Sequence, residues 1–192
     1  MKKVASQKFF DRPVLEICPD LLGKYLVIKK GAKEIAYMIT EVEAYDGEED
    51  QACHARFGKT RRNAPMFGPP GCWYIYLCYG MYWMLNIVTG PGNYPSAALI
   101  RAVQSAEGGV TRKKRKLVTS NTSHVTVLNG PGKITKTLHI DKKYNAKPAS
   151  RKTGLWIEDR GVIVKKYTTT KRKGIDYAGE WADKKWNFKL KK

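Results

Sequence analysis

From Tyr25 to Lys30 the chain alternates as a strand, Gly31-Ala32-Lys33 reads as a turn, and Glu34 to Ala44 runs back as a second strand. A period of two in the second strand puts Ile35, Tyr37, Ile39, Glu41 and Glu43 on one face and Ala36, Met38, Thr40, Val42 and Ala44 on the other. Two carboxylates therefore end up together at the end of a half-buried strand. Just before it, Cys18-Pro19-Asp20-Leu21-Leu22 reads as a short helix stopped by Gly23.

Further along, Asp46-Gly47 signals a turn, and Glu48-Glu49-Asp50 is placed to open a short helix carrying His54. Lys59 to Pro70 reads as loop, with Phe67-Gly68-Pro69-Pro70-Gly71 forcing a tight, non-helical path. Trp73 to Val88 is aromatic and aliphatic throughout, broken at Gly80, and predicts a β-hairpin with its turn near Tyr79-Gly80. Ser96 to Val103 predicts another strand, and Thr111 to Lys116 a basic loop or solvated helix face. Asn129-Gly130-Pro131-Gly132 feeds the N-terminus of a helix through Lys133 to Leu138. Leu155 to Lys166 adds one or two strands, and Ile175 to Leu190 closes the chain. With no internal repeat and no linker, the elements predict one domain over residues 1–192, of mixed α+β class with mainly antiparallel pairing.

Composition narrows the class. A hydrophobic share of 42% in 192 residues is enough for a core. No apolar run reaches the 18 residues of a membrane helix, and no apolar stretch follows Lys2 and Lys3 as a secretory signal would require. Cys18, Cys53, Cys72 and Cys78 lack the CxxC spacing of a zinc site, so four reduced, mostly buried thiols are expected, with no metal. The net charge is +19, and its distribution is uneven. Thr111 to Lys192 holds 23 basic and 6 acidic residues, against 13 and 11 in the first 110. That asymmetry fits either solvated surface lysines or a surface facing a polyanion, where Lys and Arg gain affinity by releasing counterions. Charge alone leaves DNA, RNA and an anionic membrane open.

Three groups of residues suggest chemistry. Glu43, beside Glu41 and close to aromatic residues, is placed to be a general base, although both glutamates also fit as solvated strand residues. His54 stands without a second histidine nearby, so a structural hydrogen-bonding role fits it as well as a site role. Tyr74, Tyr76 and Cys78 share one strand face, Trp73, Ile75 and Leu77 the other, and Tyr79 sits at the turn. This set reads either as a packed hairpin or as a stacking platform with a wedge that fills the gap left by an extruded nucleotide.

These pieces, in this order, resemble the alkyladenine (3-methyladenine) DNA glycosylase family. The resemblance runs through Phe9-Phe10-Asp11, Glu41-Val42-Glu43-Ala44-Tyr45 and Met66-Phe67-Gly68-Pro69-Pro70-Gly71. It continues through Tyr74 to Tyr82, Leu85-Asn86-Ile87, Leu99-Ile100-Arg101-Ala102 and Gly130-Pro131-Gly132-Lys133, and ends in Gly174 to Trp181. It covers most of the chain. It implies a compact single domain built on a curved, mainly antiparallel sheet with short helices and a protruding, DNA-intercalating β-hairpin. It implies that Glu43 is the catalytic base activating water, and that Arg101 helps hold the backbone of the flipped nucleotide. Tyr45, His54 and Tyr76 would line the base pocket, Asn86 would crowd the exocyclic amine of normal guanine, and Tyr79 would intercalate.

Such an enzyme would hydrolyse damaged purines out of double-stranded DNA without a cofactor, as a monofunctional enzyme, since no lysine matches a site position. It would be a monomer, located inside the cell with the DNA. The basic half is expected to flank the DNA, with Arg112, Lys113, Lys114, Arg115 and Lys116, Lys133, and Lys171, Arg172 and Lys173 as backbone contacts. The chain departs from the family pattern at Ala102-Val103-Gln104-Ser105, where an acidic residue and a proline are frequent, and at Lys173, where an apolar residue is usual. The competing reading is a non-catalytic basic nucleic-acid-binding module of the same fold, which has no need of a carboxylate at position 43.

Overall fold

The computed structural model describes residues 2–105 and 125–191. Its centre is one ten-stranded, antiparallel sheet in the order β1 (Lys3–Val4), β8 (Leu155–Asp159), β2 (Tyr25–Lys30), β3 (Lys33–Asp46), β6 (Ser96–Ser105), β5 (Tyr82–Val88), β4 (Trp73–Cys78). Strand β7 (Val127–Asn129) pairs with β6, and β10 (Asn187–Leu190) pairs with β3 and with β9 (Tyr167–Thr170). Among the described residues three α-helices complete the set: α1 (Gln7–Phe10), α2 (Val14–Leu21) and α3 (Pro131–Leu138). The mixed α+β class with antiparallel pairing is thus found. No helix among the described residues is long and apolar enough to cross a membrane.

The strand β3 departs from the uninterrupted alternation in one informative place. Ile39 pairs with Val103, Glu41 with Ala102 and Val42 with Ile100, so Thr40 is an extra residue on β3 and Arg101 an extra residue on β6. These paired irregularities exchange the faces of both strands. Tyr37 and Ile39 share the main core with Val42 and Ala44, and Val103 shares it with Ala98 and Ile100. Glu41 and Glu43 therefore do not lie on the face of Ile39, as strict alternation predicts. The bulge lets an apolar strand change into one that presents carboxylates without burying them among aliphatic side chains, where an unpaired charge is very costly.

The hairpin β4–β5 follows its predicted faces. Trp73 and Ile75 enter the main core, whereas Tyr74 and Tyr76 pack in a second cluster with Cys53 and Met66. Trp73 is fully buried and its indole donates to the Leu155 carbonyl at 3.1 Å, so the base of the hairpin is anchored across the sheet. Helix α3 braces the other strand. A Cβ at Gly132 would lie 2.8 Å from the Tyr82 ring, and the Thr135 hydroxyl donates to the Trp83 carbonyl at 2.9 Å. Only glycine permits that approach.

Other differences from the expectations are local. The first helix of substance starts at Val14, earlier than the Cys18 read from sequence, and has Pro19 within it. Residues 48–58 form successive turns and not a helix, because the Asp50 carboxylate folds back to accept from the backbone of Asp46 and Ala52. Lys59 to Pro70 contains a 3-10 turn at Ala64–Phe67, and of the one or two strands expected within Leu155 to Lys166 one forms, ending at Asp159. All four cysteines are free, and three of them are buried.

Candidate active site

A cavity of about 470 Å³ opens between the hairpin, the end of β3 and the segment 173–177. Behind its wall lies Glu43, wholly buried. One carboxylate oxygen, Oε2, accepts from Arg101 Nη1 at 3.0 Å and from the Tyr45 hydroxyl at 3.1 Å. The other, Oε1, accepts from the backbone N–H of Lys173 at 2.9 Å and from Asn187 Nδ2 at 3.0 Å. Arg101, Tyr45 and Lys173 themselves line the cavity, so Glu43 is one layer behind its surface. The bulge at Arg101 is what turns this guanidinium toward the carboxylates.

Glu41 forms the rear of the same cluster. Its Oε1 accepts from Lys173 Nζ at 2.6 Å and from Asn187 Nδ2 at 3.0 Å, and Lys189 Nζ lies 3.4 Å from its Oε2. Burial alone pushes this carboxyl up, but the hydrogen bonds from Lys173 and Asn187 and the charges of Lys173 and Lys189 outweigh it and hold the group below its ordinary value. Asn187 bridges both glutamates because β10 pairs Asn187 opposite Glu43. Nothing in the sequence near Asn187 marks it for this role; its importance comes from strand pairing across more than 140 residues.

Aromatic side chains form the walls. The His54 and Tyr76 rings meet edge-to-face at 4.4 Å between centroids, and His54 Nδ1 lies 2.7 Å from the Tyr74 hydroxyl. Burial, with the Arg62 and Arg56 cations nearby, lowers the His54 pKa to about 4, so the ring is neutral at neutral pH. Tyr45 is backed by the guanidinium of Arg172 at 4.8 Å from its ring centre, and burial pushes its hydroxyl well up. The Asn86 amide nitrogen donates to the Tyr74 carbonyl at 3.0 Å, which fixes the side chain in the cavity wall. The structure thus brings Tyr45, His54, Tyr76, Asn86 and Arg101 to one cavity, with Glu43 behind them.

Tyr79 stands at the tip of the hairpin and reaches the cavity rim. It is 86% exposed, and its φ of 50° and that of Gly80, 66°, are both in the left-handed region. A bulky non-glycine residue in this conformation carries backbone strain with no packing of its ring to offset it.

The predicted backbone cations divide. Lys133 is exposed, next to Pro131 on the cavity rim. Lys171 is paired with Asp183, and Lys173 with Glu41. Lys173 also lines the cavity, at the position where the family pattern usually has an apolar residue. Arg172 is not a surface cation at all. Its guanidinium is buried against Asp50 and also donates to the Ala44 carbonyl at 2.9 Å, so it is withdrawn from the set of DNA contacts. Arg112, Lys113, Lys114, Arg115 and Lys116 lie outside the described residues. Three site residues escaped the sequence reading: Asn187, Asp50 and Arg62. Arg62 stacks on the Tyr76 ring at 5.1 Å and donates to the Leu77 carbonyl.

Known proteins match along nearly the whole chain. A relative from Methanocella arvoryzae named "Putative 3-methyladenine DNA glycosylase" is 44% identical over 190 residues, covering 96% of this chain and 91% of its own. One of the same name from Alkaliphilus oremlandii is 41% identical over 193 residues, 97% of this chain and 95% of its own. The "DNA-3-methyladenine glycosylase" of Arabidopsis thaliana is 39% identical over 187 residues, 97% of this chain and 71% of its own. The family model described as methylpurine-DNA glycosylase matches residues 8–192. On a match of that extent, the chain belongs to the methylpurine-DNA glycosylase family.

Proposed function

We propose that this protein is a monofunctional DNA glycosylase that flips alkylated or deaminated purines out of double-stranded DNA and hydrolyses the N-glycosidic bond. The observation that carries the reading is the position of Glu43, held by Arg101 and Tyr45 directly behind an aromatic cavity. A binding module would bury such a charge at a cost and gain nothing from it. The cavity volume of about 470 Å³ falls within the range of about 300–1,000 Å³ usual for small-molecule sites.

In this reading the extruded purine stacks between Tyr45 and the His54–Tyr76 pair. An alkylated purine is cationic, and its stacking on aromatic faces is worth about 0.5–2 kcal/mol. Water adds to the sugar C1′, its proton passes to Glu43, and the glycosidic bond breaks with its electron pair leaving on the base. A cationic purine departs neutral; a neutral lesion departs as its anion and then takes a proton from water. Neutral His54, hydrogen-bonded through Nδ1, stacks without adding a repelling charge.

All four hydrogen-bond positions of Glu43 are occupied. For water to bind Oε2, one donor must leave, and Arg101, 16% exposed, is the one able to swing toward a nucleotide phosphate. Exchange of Glu43 for phosphate would couple nucleotide entry to base activation. The Lys173 amine is engaged by Glu41, so among the described residues the cavity lining offers no unengaged amine for a Schiff base, and in this reading the product is an abasic site. Asn86 in the wall would crowd the exocyclic amine of undamaged guanine.

Single-turnover incubation with alkylated DNA, and with duplexes holding one hypoxanthine or ethenoadenine, tests the reading. Free purine should be released from at least one substrate, and Glu43→Gln should slow release by about 10²–10⁴-fold while lesion binding persists. Tight binding without release from any substrate would favour the non-catalytic module.

A further inference from the structure

Beside the cavity, the turn after His54 carries an exposed aromatic that the site does not use. Phe57 is 81% exposed, Tyr177 on the cavity rim is 63% exposed, and the Arg56 guanidinium stacks between them, 4.7 Å from one ring centre and 5.0 Å from the other. Isolated exposed aromatics are unremarkable, but one mounted on a rigid loop is not. The buried Asn63 fixes this loop. Its amide donates to the carbonyls of His54 at 2.8 Å and Gly58 at 3.0 Å, and its oxygen accepts from the Thr60 N–H at 2.6 Å. The Arg56 guanidinium also donates to the Gln51 carbonyl.

The loop is cationic as well. Arg56, Lys59, Arg61 and Arg62 all fall within it, and among the described residues none is paired with a carboxylate. Lys171, Arg172 and Lys173, by contrast, each have an acidic partner. Charge by half-chain places the DNA contacts in the C-terminal half; among the described residues Lys133 also has no carboxylate partner, and this N-terminal loop adds a second cluster of unpaired cations beside the cavity.

We infer that residues 56–62 and Tyr177 form a second grip on duplex DNA, separate from the Tyr79 hairpin. Phe57 stacks against a nucleotide beside the extruded one, and Lys59 and Arg61 meet its flanking phosphates. This rests on the glycosylase reading for the location of the DNA, since Tyr177 and Tyr79 border one cavity. A fixed loop loses little conformational freedom on binding, so the contact is efficient. Stacking of this kind is independent of sequence but needs an unstacked neighbour, so it adds most affinity where a nucleotide is extruded.

The test uses the full chain and a short duplex carrying a tetrahydrofuran abasic-site analogue, with the same duplex lacking it as the second probe. Phe57→Ser should raise Kd about tenfold on the abasic-analogue duplex and by less on the intact one, with an unchanged salt slope and an unchanged single-turnover rate at saturating enzyme. Phe57→Trp should keep wild-type affinity. Lys59→Ser with Arg61→Ser should instead flatten the slope of log K against log salt by about 1.8, or 0.9 per phosphate contact. Wild-type affinity in Phe57→Ser, or a tryptophan variant that binds as weakly as the serine one, overturns the grip. If the wild type releases no purine but Phe57→Ser still loses affinity, the grip stands and the catalytic reading falls.

Discussion

The guanidinium of Arg172 lies 2.5 and 2.8 Å from the two carboxylate oxygens of Asp50, with both side chains wholly out of water. This pair holds three parts of the site together. Arg172 donates to the Ala44 carbonyl at the end of β3, and its guanidinium lies against the rings of Tyr45 at 4.8 Å and Trp186 at 5.0 Å. The next residue, Lys173, gives its N–H to Glu43. Asp50 and Arg172 thus set both the stacking ring and one donor of the buried carboxylate.

Removing one member of such a pair strands the other charge. Arg172→Ala should destabilise the fold by about 3–5 kcal/mol in urea unfolding. Asp50→Asn with Arg172→Met should cost clearly less than the sum of the two single changes, because neither then leaves an unpaired ion. Additive losses would mean that the two residues act independently.

Much of this architecture is readable from sequence, and the parts that are not have a common cause. The faces of β4–β5 follow from alternation alone, because Trp73, Ile75, Tyr74 and Tyr76 need no distant partner to decide their sides. The faces of β3 do not, because the bulge at Thr40 exists only in register with Arg101 on β6. In the same way Lys171, Arg172 and Lys173 look alike as a charge run. What separates them is Asp50, 122 residues away from Arg172, and Glu41, 132 residues away from Lys173. Of the candidate site residues, those that resemblance identified came together; Asn187 and Asp50 required the strand pairing and turns of the fold.

His54 gives the protein a pH-dependent loss of stability. Its folded pKa of about 4 is below its ordinary 6.5, so between those values the unfolded chain binds a proton that the folded one does not. The sign follows directly: stability is complete above pH 6.5, falls as pH is lowered toward 4, and the loss from this group stops below that. The amount is about 3 kcal/mol at 1.36 kcal/mol per unit. Thermal melts from pH 7 to 4 should show the decline, and His54→Gln should reduce its slope. An equal slope in the variant would assign the decline to other groups.

Tyr79 pays backbone strain for a ring in solvent, and glycine at that position separates the two roles. Tyr79→Gly should leave the melting temperature unchanged or raise it, since φ of 50° suits glycine. Lesion binding should weaken by a few kcal/mol if the ring fills the gap in the base stack. A loss of stability without a loss of affinity would make the ring a support of the hairpin and not a wedge.

In the proposed mechanism, Arg101 decides how Glu43 becomes available to water. Its Nη1 is 3.0 Å from Glu43 Oε2, and its Nε is 3.7 Å from Glu41 Oε1, so in the resting site one guanidinium bridges both carboxylates. If it leaves for a phosphate when the nucleotide enters, its energetic role lies in binding, and Oε2 is free for water during bond cleavage. Arg101→Met should then raise Kd for an abasic-analogue duplex more than about tenfold, the loss expected of a charge-assisted hydrogen bond. The single-turnover rate at saturating enzyme should fall by less than that factor, because Oε2 no longer has to exchange partners. Arg101→Lys should restore part of the affinity, since it keeps the charge without the planar fork. The opposite result, a collapsed rate at unchanged affinity, would place Arg101 in bond cleavage itself: it would stay on Glu43 throughout and orient the carboxylate, and water would have to reach Glu43 by displacing Tyr45.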